Sequence, residues 1–198
     1  MDPFPKSVCR STCRFEGPRF VMRPFVPGQD EEALCEAVLD SLSELAPFLP
    51  WACKEYSLSD AGEFIASVPR SWESRTGYHF GIFDQNDGRL LGGVGLNMVS
   101  TIYRILNLGY WVRSSEAGRG LATEAGLLLA DFALKELGAL RLEILTAVSN
   151  GASRRVAEKM GAHFEGILRN RLRIREETQD AAMFSLIPNE GSELIPHQ

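Results

Sequence analysis

The chain is short of the residues that build metal centres, membrane anchors and nucleic-acid surfaces. Its four cysteines, Cys9, Cys13, Cys35 and Cys53, include no CxxC pair, and its three histidines do not cluster with them. The thiols therefore read as reduced rather than as metal ligands. Apolar runs such as residues 126–130 fall far short of the roughly 20 residues that cross a bilayer. No charged-then-apolar leader opens the chain, so a cytoplasmic protein without membrane contact is expected. A formal net charge of −5 offers no basic excess to a nucleic-acid backbone but tolerates a cationic substrate. One basic run, Arg169, Arg171, Arg173 and Arg175, alternates with Leu172 and Ile174 and is followed by Glu176 and Glu177. It reads as a solvated or ion-paired strand face. Internal repeats, low-complexity tracts and a GxxxxGK loop ending in Ser or Thr are also missing.

What remains suits a single domain: 198 residues, 44% hydrophobic and 24% charged, enough for one core. That domain is expected over residues 18–188, behind a loose leader at 1–17 and before a tail at 189–198. A strand is expected at 19–25, then a helix from Asp30, whose carboxylate is placed to cap it, to about residue 42. A helix at 59–67 and a separate helical turn at 69–75 follow, divided by Pro69. Strands at 78–84 and 89–97 are joined by QNDG, a hairpin signal. A strand within 102–112, a helix from 121, a strand at 140–147 and a helix closed by Gly161 come next. The last strands fall at 162–174 and 181–187.

The most informative segment is NLGYWVRSSEAGRGLATEA at 107–125. Leu108, Tyr110 and Val112 alternate with Gly109 and Trp111, a strand composition. The following Ala117, Gly118, Arg119, Gly120, Leu121 and Ala122 put two glycines at a turn where the backbone approaches a ligand closely. From Leu121 the apolar positions recur every three to four residues, so a helix N-terminus and its free amides meet at that turn, an anion site. The turn alone leaves alternatives open. A dinucleotide fingerprint has Gly118, Gly120 and a ribose-binding acid candidate in Glu143, but Thr123 stands where its third glycine belongs. A plain strand-to-helix connection is the other.

The second half of the pattern narrows the reading. The strand LRLEILTA ends in Val148, Ser149 and Asn150 and enters the helix of NGASRRVAEKMGAHFEG. With GYWV at 109–112, AGRGLATEA at 117–125 and an opening strand RFVMRPF at 19–25, this order resembles the GNAT superfamily of N-acetyltransferases, and within it the RimJ/RimL type. The family's coenzyme A turn reads Q/R-x-x-G-x-G/A; residues 117–122 match at Gly120 and Ala122 and depart at Ala117.

The resemblance implies an α/β fold with a mixed central sheet of about six to seven strands flanked by helices. Two parallel strands would splay to hold acetyl-CoA. It implies transfer of an acetyl group to a primary amine, an α-amine of a protein or peptide or a small-molecule amine, and family members are often dimers. It places pantetheine along Trp111 and Val112, with a bulge at Tyr110 to Val112 aiming an amide at the thioester oxygen. The pyrophosphate falls on Gly118, Arg119, Gly120, Leu121, Ala122 and Thr123, with charge from Arg119 or Arg113. Asn150 would hold the pantetheine arm, and Ser153 would protonate the thiolate. Trp51 and Tyr56, from a stretch rich in leucine, proline and tryptophan, would line the acceptor site. Asn107 occupies the place of the family's Glu, the candidate base; an amide cannot accept the proton. Glu55, His79, Glu165 or a water chain are the replacements, and a catalytically weak acyl-CoA-binding module is the alternative from another class.

Overall fold

The computed structural model describes Arg10 and residues 13–188. Among the described residues, eight strands form one sheet in the order β1-β2-β3-β4-β5-β6-β8-β7. They are β1 (Phe15–Glu16), β2 (Phe20–Pro24), β3 (Tyr78–Asp84), β4 (Leu90–Ser100), β5 (Ile105–Val112), β6 (Arg141–Ala147), β7 (His163–Ile174) and β8 (Glu177–Leu186). The count exceeds the expected six to seven because residues of the supposed leader pair as β1: Phe15 lies opposite Met22, and its ring packs edge-on against Phe80 and Phe132. Residues 1–9 and 11–12 of the leader lie outside the described ones, as does the tail at 189–198.

Among the described residues, five α-helices flank the sheet: α1 (Glu31–Leu39), α2 (Leu42–Leu45), α3 (Leu58–Ser74), α4 (Leu121–Asp131), prolonged by a π-type turn at Phe132–Glu136, and α5 (Gly151–Lys159). Asp30 precedes α1 but does not cap it. Its buried carboxylate accepts instead from Arg23 at 2.7 and 2.9 Å and from the Val26 amide at 2.7 Å. The division expected at Pro69 is likewise absent. α3 runs through the proline because Ala61, Ile65, Val68 and Trp72 keep one buried stripe across it. A reciprocal Ser57–Asp60 cap starts this helix, and Arg75 ends it in the left-handed region at φ 58°.

All neighbouring strands run antiparallel except β5 and β6. These pair only through Ile105 to Asn107 against Arg141 to Glu143. Beyond Asn107 and Glu143 the strands diverge, and a V opens in the middle of the sheet. The two faces differ in character. Tyr78 and Phe80 pack edge-on against Phe132, whereas His79, Gly81 and Phe83 alternate onto the face where Phe25 and Phe64 lie.

Candidate active site

The V presents unpaired backbone. The Arg113 amide donates to Leu91 O at 2.8 Å, and pairing is unbroken from Gly92 opposite Val112 to Asn97 opposite Asn107. Antiparallel alternation then directs Trp111, Gly109 and Asn107 toward β4 and the N–H groups of Leu108, Tyr110 and Val112 toward the gap. The bulge expected at Tyr110 to Val112 is not there. The β4–β5 register shifts instead between Asn97 and Ser100, around Met98 at φ 48°. Simple alternation already turns the Tyr110 and Val112 amides into the opening.

Asn107 sits at the apex of the V. Its Oδ1 accepts the Leu145 amide at 3.3 Å, an N–H that an unbroken ladder would give to the β5 backbone, and its Nδ2 donates to Asn97 Oδ1 at 2.9 Å. The side chain thus wedges the strands apart.

Below the V lies the glycine turn. Gly118 and Gly120 adopt φ 77° and 84°, the left-handed region that glycine enters without strain. A Cβ on Gly118 would meet nothing within 4 Å. α4 begins at Leu121, so the free amides of Leu121, Ala122 and Thr123 stand over this open face. Two groups that sequence reasoning missed hold the turn. Arg19, just before β2, donates to Arg119 O at 2.7 Å, and buried Glu116 takes Arg89 at 3.1 Å and Arg119 at 3.3 Å. The Arg119 side chain stays largely exposed. Arg113 is not available to a phosphate: it is 3% exposed and donates to Leu90 O, Asp40 and Glu36 beneath α1.

Across the V, Tyr110 Oη donates to Ser153 O at 2.9 Å and accepts from Ser153 Oγ at 3.3 Å. Burial pushes the phenol up to about 12, so it is a neutral donor and acceptor near neutral pH. Asn150 caps α5, its Oδ1 accepting the Ser153 amide at 3.0 Å.

A cavity of about 710 Å³ opens against the other face of β5. Its floor is His79, Gly93, Gly95, Asn97, Gly109 and Trp111, which the registers place in adjoining rows. Leu49, Pro50, Trp51, Tyr56 and Phe64 wall it, and Asp60 and Glu63 bring carboxylates. Trp51 packs on both Tyr56 and Trp111 with centroids 6.1 Å apart. The expected aromatic stretch therefore divides: Leu45 and Ala52 are core, whereas Trp51 and Tyr56 line the cavity. Burial raises the Tyr56 hydroxyl to about 12. Asn107 is not among the lining residues; its neighbour Asn97 is. Sequence gave no signal for Asn97, Asp60, Glu63 or Phe64, which meet there only through strand register and helix placement.

Of the replacement bases, Glu165 is committed elsewhere. Arg141 grips both its oxygens at 2.6 Å and Ser185 donates at 2.6 Å, which together hold the carboxyl down at about 2. Glu55 is exposed and lines no part of the cavity. The arginines of β7 are exposed, with Arg173 paired to Glu176 at 2.9 Å.

A model of the acetyltransferase (GNAT) domain matches residues 19–163. The chain belongs to the GNAT acetyltransferase family. It is 32% identical over 133 residues to the Bacillus subtilis protein named probable N-acetyltransferase YjcK, covering 67% of this chain and 74% of that one. It is 29% identical over 163 residues to YdaF of the same organism, named as a candidate ribosomal N-acetyltransferase, covering 82% and 88%. A Vibrio cholerae structure described as a candidate ribosomal-protein-serine acetyltransferase superposes with a TM-score of 0.79 at 27% identity, covering 89% of this chain and 98% of that one. The chain is thus an acetyl-CoA-dependent N-acetyltransferase of the GNAT family, with relatives named for ribosomal-protein acetylation. Structures sharing this fold have been solved with acetyl-CoA and with coenzyme A. The cleft fits that donor: orphan amides line the V, and the glycine turn offers an uncrowded face under a helix N-terminus. Among the described residues no helix is long and apolar enough to cross a membrane.

Proposed function

We propose that this GNAT enzyme acetylates the α-amine of a protein or peptide, whose first residue enters the cavity beside β5. The observation carrying this reading is the cavity itself. It offers about 710 Å³ over a glycine floor, aromatic walls that bury a side chain, and two carboxylates that attract a cationic terminus. The ribosomal-protein names of the relatives support a protein acceptor. An α-amine, with an ordinary pKa near ~8, is also partly neutral at cell pH and needs less assistance than a lysine near ~10.4.

The bound donor supplies an acetyl thioester. Leu121, Ala122 and Thr123, with Gly118 and Gly120, would hold its pyrophosphate, while Trp111 and Val112 would run beside the pantetheine. The Tyr110 and Val112 amides offer hydrogen bonds to the thioester oxygen as it gains charge. Ser153, hydrogen-bonded to Tyr110, would return a proton to the departing thiolate. Asn150 secures α5 so that Ser153 stays at the V.

Thiol release from acetyl-CoA should be measured with three acceptor sets: peptides bearing a free α-amine, the same peptides N-terminally blocked but containing lysine, and small polyamines or aminoglycosides. Turnover confined to the first set is expected. Preference for the third would make the enzyme a small-molecule acetyltransferase, and no turnover with any would leave an acyl-CoA-binding module.

A further inference from the structure

Asn107 removes the base that the family pattern supplies, and the acceptor cavity contains a group able to replace it. His79, at the start of β3, is half-buried and faces Phe64 edge-on at 5.4 Å. Its ring makes no hydrogen bond among the described residues, and neither ring nitrogen is among the fully buried unpaired atoms, so the imidazole opens onto the cavity. The ring lies on a surface made for it. His79 pairs with Gly95, and Gly95 with Gly109, so the three form one row across β3, β4 and β5. A Cβ on Gly95 would come within 2.8 Å of His79 Nδ1, whereas one on Gly109 would meet only Asn97 Nδ2 at 3.9 Å. Two bare glycines thus leave an open trough from the imidazole to the strand whose amides face the V. His79 Nδ1 already lies over Gly95 of β4, and neighbouring strands lie about 4.8 Å apart, so about one strand spacing of open glycine floor separates the ring from β5, room for the acceptor amine.

We propose that His79 is the catalytic base that takes the proton from the acceptor amine across the glycine floor of β4 and β5. This deepens the acceptor reading above and rests on it. As the nitrogen–carbon bond forms, the N–H proton passes to His79; the carbon–sulfur bond breaks, and the thiolate takes a proton from the Tyr110–Ser153 hydroxyl pair. The imidazolium and the hydroxyl pair then exchange protons with solvent, so nothing is gained or lost overall. Burial lowers the imidazole pKa, which keeps the ring neutral and able to accept at neutral pH. The other titratable groups at the cavity are Cys53 and Tyr56 from the segment before α3, Asp60 and Glu63 on α3, and Tyr110 on β5. β4 contributes only neutral Asn97, and α1 only Leu34.

The test compares wild type, His79→Gln and His79→Ala with the preferred peptide from about pH 5.5 to 9, alongside acetyl-CoA calorimetry and a nitrogen-15 titration of the wild-type imidazoles. Loss of kcat by a factor of about 100 or more with acetyl-CoA affinity unchanged, disappearance of the acid limb of kcat, from which the ionisation of the free acceptor amine drops out, and rescue of His79→Ala by added imidazole are expected. The acid limb should also fall at the pKa that the titration gives His79. A His79→Gln enzyme within a factor of about three of wild type, with its acid limb intact, overturns the assignment. Should both variants fail to fold, a limb that misses the titrated pKa does the same. Wild type that acetylates no amine removes the acceptor reading and the base with it; wild type and His79→Gln that acetylate equally well remove only the base.

Discussion

Replacing Arg113 by Met should cost far more stability than neutralising the acids it pairs with. Its guanidinium is 3% exposed and donates to Leu90 O at 2.6 Å, to Asp40 at 2.6 Å and to Glu36 at 3.1 Å. The partners are unequal. The side chains of Asp40 and Glu36 are 61% and 63% exposed, so each pair is screened and contributes at most about 1 kcal/mol. The buried bond from a charged donor to the Leu90 carbonyl contributes about 1.5–3 kcal/mol, and methionine leaves that carbonyl unpaired. The loss for Arg113→Met is therefore about 2–4 kcal/mol, a fall in Tm of roughly 5–15 °C for a domain of this size. Glu36→Gln and Asp40→Asn should each cost less than about 1 kcal/mol. Urea unfolding at low salt and at about 1 M salt separates the contributions, because screening removes the carboxylate effects and leaves the buried one. Acetyl-CoA affinity should be unchanged, since Arg113 braces α1 and does not face the glycine turn. An Arg113→Met loss no larger than that of the two acid substitutions, or one abolished by salt, would refute this reasoning.

Gly120→Glu places a bulky anion at φ 84° on the phosphate face and should weaken acetyl-CoA binding by at least about 100-fold in calorimetry; retained affinity would remove the phosphate assignment. Ser153→Ala should lower kcat by about 10-fold or more while acetyl-CoA affinity changes little, and an unchanged rate would return Ser153 to a purely structural place beside Tyr110. Arg141 holds the Glu165 carboxyl down at about 2, below its unfolded value near 4.3. Its contribution is therefore complete above about pH 4.3 and lost as pH falls toward 2, so wild type and Glu165→Gln should differ in urea midpoint at neutral pH and converge in acid. A difference that grows on acidification would contradict that sign.

Local chemistry was legible in the sequence, and long-range placement was not. The strand, glycine turn and helix at 107–125 could be read directly because each rests on neighbouring residues. Pro69 misled because a breaker was weighed by itself, while the stripe from Ala61 to Trp72 kept the helix intact. Asp30 has the composition of a cap, yet Arg23 and the Val26 amide claim its oxygens. Arg113 read as a spare cation near a phosphate turn, and only folding brings it under acids 73 and 77 residues away. The wedge formed by Asn107 depends on Leu145, 38 positions on. Likewise the floor beneath His79 exists only once three strands take their register, since no spacing in the chain joins residues 79, 95 and 109.

The most direct measurement is an amide-resonance footprint of the protein titrated first with acetyl-CoA and then with an acceptor peptide. Acetyl-CoA should shift Leu108, Tyr110 and Val112 and residues 118–123 and 150–153, leaving the alternate amides of Gly109 and Trp111 less affected. The peptide should then shift Trp51, His79, Gly95 and Gly109. Perturbations that avoid the V, or a peptide footprint on the α4–α5 side of the sheet, would contradict this assignment of donor and acceptor.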